Sequence, residues 1–128
     1  MNKILIVEDD KFISNAYRIK LEKSGFEIIS ATDGQEAIDI LKKETPDLIL
    51  LDLVMPIKDG FSTLKEIKAN PAWSSIPIIV ASNLGLTEDI DRAMAMGATG
   101  YIIKTELSMS ELIGKIMATL KESPFSNP

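Results

Sequence analysis

Five side chains in this sequence combine into a setting for phosphoryl chemistry: the carboxylates Glu8, Asp9 and Asp52, the hydroxyl of Ser82 and the ammonium of Lys104. Each stands where an apolar run stops. Three carboxylates brought within a few ångströms of one another repel, and they stay ionised together only around a cation. The sequence contains neither histidine nor cysteine. Any metal is therefore held by oxygen, which favours a hard ion such as magnesium; that ion takes one or two carboxylates and keeps several waters. Retained waters leave room for the oxygens of a ligand. Lys104 adds a fixed positive charge on the opposite flank, and Ser82 adds a hydrogen-bond donor. Such a set suits a phosphoryl group, whose transition-state charge spreads over its equatorial oxygens. One acid then serves as nucleophile, since carboxylates form aspartyl-phosphates. Asp52 is the best candidate, being alone at the end of the central apolar run.

This constellation exists only if the fold gathers the ends of separate runs. The central one, Asp47-Leu48-Ile49-Leu50-Leu51-Asp52-Leu53-Val54, follows Thr45-Pro46 and is almost unbroken. It reads as a strand, about Leu48 to Val54, buried on both faces of a parallel sheet. Pro56 and Asp59-Gly60 then force a loop. Lys3 to Val7 is a first strand. Helical spacing begins at Lys11, with Ile13, Ala16, Tyr17 and Leu21 on one face and Gly25 as the stop. Phe26 to Ala31 is a second strand, Thr32-Asp33-Gly34 a turn, and Ala37, Ile38 and Leu41 mark a second helix. Phe61, Leu64 and Ile67 mark a third, and Asn70 to Pro77 is a loop. Ile78 to Ala81 forms a fourth strand ending at Ser82. Thr87-Glu88-Asp89 opens a helix with a capping hydroxyl and acids in the first turn, and Gly97 ends it. Tyr101 to Ile103 is a fifth strand. Ser108 and Glu111 make a capping box. The helix behind it repeats Met109, Leu112, Ile113, Ile116, Met117 and Leu120, read as core or as core plus interface.

Strand and helix thus alternate five times. This predicts an α/β fold: a single doubly wound (βα)5 domain with right-handed crossovers and the flavodoxin-like sheet order 2-1-3-4-5. Ligands of such sheets bind beyond the carboxyl ends of the strands, at the switch point between the first and third. Glu8, Asp9, Asp52, Ser82 and Lys104 all fall at that edge. Singly, each has a plainer reading. Asp10 is the N-cap of the first helix. Glu8 alone is a solvated strand end, Lys104 a surface lysine, Ser82 a loop residue and Tyr101 a half-buried strand aromatic. Their coincidence at successive strand ends favours the joint reading.

Composition narrows the classes of function. With 128 residues, 45% of them hydrophobic and 26% charged, the chain suits one globular domain. The expected domain is 1–122, with 123–128 a polar tail or the start of a linker. A net charge of −5 counts against a nucleic-acid surface, which needs clustered Lys and Arg. No apolar run approaches the ~20 residues of a membrane span. The first strand ends in acids and does not read as a signal peptide. With the absence of cysteine, this leads to the expectation of a cytoplasmic protein.

The chain resembles the receiver domain of bacterial two-component response regulators over about Lys3 to Glu122. The resemblance rests on Ile4-Leu5-Ile6-Val7-Glu8-Asp9-Asp10, Ala31-Thr32-Asp33-Gly34-Gln35-Glu36-Ala37, Asp47 to Asp52 and Met55-Pro56-Ile57-Lys58-Asp59-Gly60. Ile78-Ile79-Val80-Ala81-Ser82 and Gly97-Ala98-Thr99-Gly100-Tyr101-Ile102-Ile103-Lys104 complete it. It implies that Asp52 accepts a phosphoryl group from a phosphohistidine of a partner histidine kinase or phosphotransfer protein. It implies magnesium on Asp9, Asp52 and the backbone carbonyl of Val54, with Glu8 acting largely through water. Ser82 and Lys104 would contact the phosphoryl oxygens, and Ser82 with Tyr101 would form the switch. The readout would be the surface of the fourth helix, fifth strand and fifth helix, offered to a downstream effector by population shift. The implied role is a signalling switch and not an enzyme, beyond its own phosphorylation and dephosphorylation.

The sequence departs from the family at three points. Thr105 follows Lys104 where proline is usual, and the family's often cis peptide there costs about 3 kcal/mol without proline, so a trans, reshaped loop is expected. Asn83 follows Ser82 where a small residue is usual, which narrows access to the phosphoryl group. Thr99-Gly100 and Glu106 depart from the pattern of the dimerising DNA-binding branch; that branch's dimer is not inferred, and a phosphorylation-dependent homodimer stays open. Val54 and Leu84, two residues past Asp52 and Ser82, are both apolar and cannot orient an attacking water, so slow self-dephosphorylation is expected. Three competing readings remain. An aspartyl-nucleophile phosphatase wants a second acid where Val54 stands. A pseudo-receiver would serve only as an interaction module. A flavin carrier would need a phosphate-cradling loop after the first strand.

Overall fold

The structure is a computed structural model describing residues 2–122. The expected tail, 123–128, lies outside the described residues. The elements follow in the order β1 (Lys3–Val7), α1 (Lys11–Lys23), β2 (Glu27–Ala31), α2 (Gly34–Leu41) and β3 (Leu48–Leu51). Then come α3 (Gly60–Ala69), β4 (Ile78–Ser82), α4 (Thr87–Ala95), β5 (Gly100–Ile103) and α5 (Met109–Glu122). All strand pairs are parallel, in the order β2-β1-β3-β4-β5, as the alternation predicts.

Unbroken apolar runs become the inner strands because both their faces are covered. Alternate side chains feed two cores. Leu5, Val7, Ile49, Leu51, Ile78 and Val80 pack with Ala37 and Ile38 of α2, Leu64 and Ile67 of α3 and Ala93 of α4. Ile4, Ile6, Leu48, Leu50 and Ile79 pack with Tyr17 and Leu21 of α1 and with Leu112, Ile116 and Leu120 of α5. Each such Leu or Ile stabilises the fold by about 1.5–3 kcal/mol when fully buried. A slip of one residue would exchange the two faces, so the register is strongly fixed. That register places Val7 opposite Leu51, Leu51 opposite Val80 and Ser82 opposite Ile103. The carboxyl ends of β1, β3, β4 and β5 therefore finish side by side.

Helix starts follow their capping residues. Asp10 accepts from the N–H groups of Phe12 and Ile13, Asp33 from Glu36, and Asp59 from Ser62. Ser108 and Glu111 bond reciprocally. Several expectations need correction. β3 ends at Leu51, three residues early, because the Leu53 carbonyl turns away to accept the Gly60 N–H at 2.9 Å. Phe26 precedes β2; its N–H closes the end of α1 on the Leu21 carbonyl. Thr87 is already inside α4, one position too late to cap it; Leu86 holds the cap position and makes no side-chain bond. Ala16 is exposed, because α1 buries only the narrow stripe of Tyr17 and Leu21. The α5 repeat, read as core or as core plus interface, buries Leu112, Ile116 and Leu120 and leaves Ile113 half-buried and Met117 exposed.

Candidate functional site

The end of β1 delivers Glu8 and Asp9, and the end of β3 delivers Asp52. The Asp52 N–H still pairs with the Val7 carbonyl at 3.0 Å, so the two strand ends remain zipped at the point where the acids begin. Glu8 and Asp52 are buried, at 3% and 7% exposure, whereas Asp9 is exposed. One carboxylate oxygen from each lies within 4.8 Å of the other two. Three oxygen donors, two in a wall and one open to solvent, fit a hard cation that keeps part of its water shell.

Lys104, at the end of β5, reaches across to the same acids. Its ammonium pairs with Glu8 Oε1 and lies 3.3 Å from Asp52 Oδ2. The other Glu8 oxygen accepts the Asp10 N–H at 3.2 Å. Burial pushes the Glu8 carboxyl up to about 7, assisted by the charge of Asp52 and opposed by the bond from Lys104. Burial pulls the Lys104 ammonium down, but the bond to Glu8 and the charges of Asp52 and Glu8 outweigh it and leave its pKa raised. Lys104 is therefore firmly cationic, and it partly offsets the crowding of the acids.

Ser82 is fully buried at the end of β4, and its Oγ accepts the Leu84 N–H at 3.3 Å. The Tyr101 hydroxyl donates to the Leu84 carbonyl at 2.6 Å. Serine and tyrosine thus grip one residue of the β4–α4 loop from two sides. Burial raises the Tyr101 phenol. Val54 lies in the loop after Asp52; its N–H faces Asp52 Oδ1 at 3.4 Å and the residue is 60% exposed. Asn83 is exposed beside Ser82. No peptide bond among the described residues is cis, so Lys104–Thr105 is trans. A tight turn follows, with the Glu106 N–H on the Ile103 carbonyl at 2.9 Å.

Sequence reasoning missed the support behind these groups. Tyr17 was legible only as a core residue of α1, yet it lies within the electrostatic reach of Lys104, Glu8 and Asp52, and burial raises its phenol. Gly60 was legible as a loop signal. Its further role is steric: a Cβ there would fall 2.2 Å from the Asp52 carbonyl oxygen and 2.4 Å from the Leu53 Cα. No local signal marks Thr63, which is fully buried and donates to the Asp59 carbonyl at 2.7 Å.

Comparison with known proteins agrees with this geometry. Over 119 residues the chain is 36% identical to "Probable transcriptional regulator ycf27" of Porphyridium aerugineum, covering 93% of this chain and 48% of that protein. The chain spans about half the length of the curated relatives it matches. Among solved structures, the Francisella response regulator 1452 receiver domain superposes with a TM-score of 0.88 at 31% identity, covering 95% of this chain and 98% of that one. The Mn(2+)-bound form of response regulator Rcp1 superposes with a TM-score of 0.79 at 30% identity, covering 93% of this chain and 91% of that one. A sequence model described as "Response regulator receiver domain" matches residues 4–117. With its sheet order, its acidic cluster and this match, the chain belongs to the receiver domain family of two-component response regulators.

Proposed function

We propose that residues 1–122 form a phosphorylatable switch and that Asp52 is its acceptor. A phosphohistidine of a partner histidine kinase or phosphotransfer protein is the donor. An Asp52 carboxylate oxygen attacks phosphorus, the new O–P bond forms, and the P–N bond breaks with its electron pair returning to the imidazole. Glu8, Asp9, Asp52 and the Val54 carbonyl would hold magnesium, which when bound neutralises the crowded carboxylates and the arriving phosphoryl oxygens. Lys104, paired with Glu8 and 3.3 Å from Asp52, supplies a preorganised positive charge beside the acceptor. Ser82 gives up the Leu84 N–H and donates its hydroxyl to a phosphoryl oxygen. The loop that Ser82 and Tyr101 hold then shifts, biasing the surface of α4, β5 and α5 toward a conformer that a downstream effector binds.

The observation that carries this reading is the gathering of Glu8, Asp9 and Asp52 within 4.8 Å under the Lys104 ammonium. The Mn(2+)-bound form of Rcp1, a protein of similar fold, supports a divalent ion. The net charge of −5 argues that this domain does not contact nucleic acid itself. The described residues contain no helix long and apolar enough to cross a membrane. Incubation with acetyl phosphate and magnesium tests the reading by intact mass. Wild type gains one phosphoryl group and Asp52→Asn gains none. No gain in wild type, under conditions that load other receivers, would instead favour a pseudo-receiver that acts only by binding.

A further inference from the structure

The loop between β3 and α3 holds an unfavourable conformation beside Asp52. Ile57 has φ 66°, and the Lys58 N–H bonds to the Pro56 carbonyl at 2.7 Å across it. This is the rarer γ-turn, strained for any side chain and most of all for a β-branched one. Ile57 is also 85% exposed, so its own packing does not hold the turn. Strain of this kind persists only where the surroundings impose it.

The surroundings that impose it belong to α2 and α3. The Gly34 N–H, first in α2, donates to the Lys58 carbonyl at 3.2 Å. Thr63, fully buried on α3, holds the Asp59 carbonyl at 2.7 Å. A Cβ on Gly34 would fall 1.9 Å from Thr63 Oγ1 and 2.8 Å from the Lys58 carbonyl oxygen. One contact is a buried side chain and the other is backbone, so neither yields easily. The opposite end of the loop carries Leu53 and Val54, and the Val54 N–H faces Asp52 Oδ1. Ile57 lies between these two ends, so the strained turn sits between the hold on Lys58 and the Val54 N–H that faces Asp52.

We propose that the N-terminus of α2 clamps this loop, and that Gly34 and Thr63 are positioning residues for the cation site although neither belongs to the acidic cluster. The proposal rests on the reading that Glu8, Asp9, Asp52 and Val54 hold magnesium. Its test is a MgCl2 titration of the metal-free protein, followed by the amide NMR signals of Asp52, Leu53 and Val54, with urea midpoints measured in parallel. Gly34→Ala and Thr63→Val should each weaken magnesium binding about tenfold, the scale of lost support behind a ligand, while Ile57→Gly stays within about twofold of wild type. Combining Ile57→Gly with Thr63→Val should restore most of the lost affinity, because a loop without strain keeps its shape when the hold of Thr63 is removed. A merely structural threonine would show no such rescue. Should Gly34→Ala fail to fold, Thr63→Val, which adds no bulk, carries the test. Wild-type affinity in both single variants overturns the clamp, as does a Thr63→Val loss that Ile57→Gly leaves unrepaired. A wild type with no saturable magnesium response overturns the metal reading itself, and the clamp's purpose with it.

Discussion

Glu8 governs how the pocket responds to pH. Its carboxyl is raised from an ordinary 4.5 to about 7, chiefly by burial. A carboxyl raised on folding binds its proton more tightly in the native state than in the unfolded chain. Its contribution to stability is therefore fully present below about pH 4.5 and is lost as pH rises through about 7. Without metal, the part of the urea midpoint that depends on Glu8 should fall over that window, and Glu8→Gln should flatten the fall. On the proposed reading, magnesium competes with the Glu8 proton, so the gain on adding it should be larger at about pH 8 than at about pH 5. A second expectation concerns lifetime. Val54 and Leu84 offer no polar group to an attacking water. The acyl phosphate should persist for minutes or longer without a phosphatase, and Val54→Asn should shorten it, as phosphate release would record. Loss within seconds from wild type contradicts this. Asp52, Ser82 and Lys104 were legible in the sequence because each interrupts an apolar run. The Glu8–Lys104 pair was not, because residues 96 apart meet only through the order of the strands.

At the scale of elements, two helices carry local faults with measurable consequences. α4 starts without a side-chain cap, since Leu86 stands at the cap position and is 65% exposed. Leu86→Ser should satisfy a free N–H and stabilise the domain by about 1 kcal/mol. Urea unfolding checks this; an unchanged midpoint would show that α4 contributes nothing to global stability. Gly114 sits inside α5, and a Cβ there would meet nothing within 4 Å. Gly114→Ala should add about 0.5–1 kcal/mol by the same measurement. Helix starts were legible at Asp10 and at the Ser108–Glu111 box; Asp33 and Asp59 were legible only as turn and loop residues, and the structure shows that they also cap α2 and α3. The start of α4 was misread because Thr87 looks like a cap and stands one residue late. The end of β3 was misread because Leu53 and Val54 are as apolar as the strand. Only the tertiary bond from Gly60 to Leu53 turns them out of the sheet.

For the whole molecule, the five-fold alternation of strand and helix was sufficient to predict the sheet order, since short right-handed crossovers leave few alternatives. That order brings the ends of β1, β3, β4 and β5 to one edge, and the site follows from it. What could not be read was the reinforcement behind the site, at Gly34, Gly60 and Thr63, where meaning depends on the approach of another backbone. The account as a whole stands on Asp52 being the group that is phosphorylated. Borohydride reduction of the protein after treatment with acetyl phosphate and magnesium converts an aspartyl-phosphate to homoserine, and tandem mass spectrometry locates it. The account predicts homoserine at position 52 and nowhere else. An intact aspartate at 52 in protein that has gained a phosphoryl group, or homoserine at another acid, would contradict it.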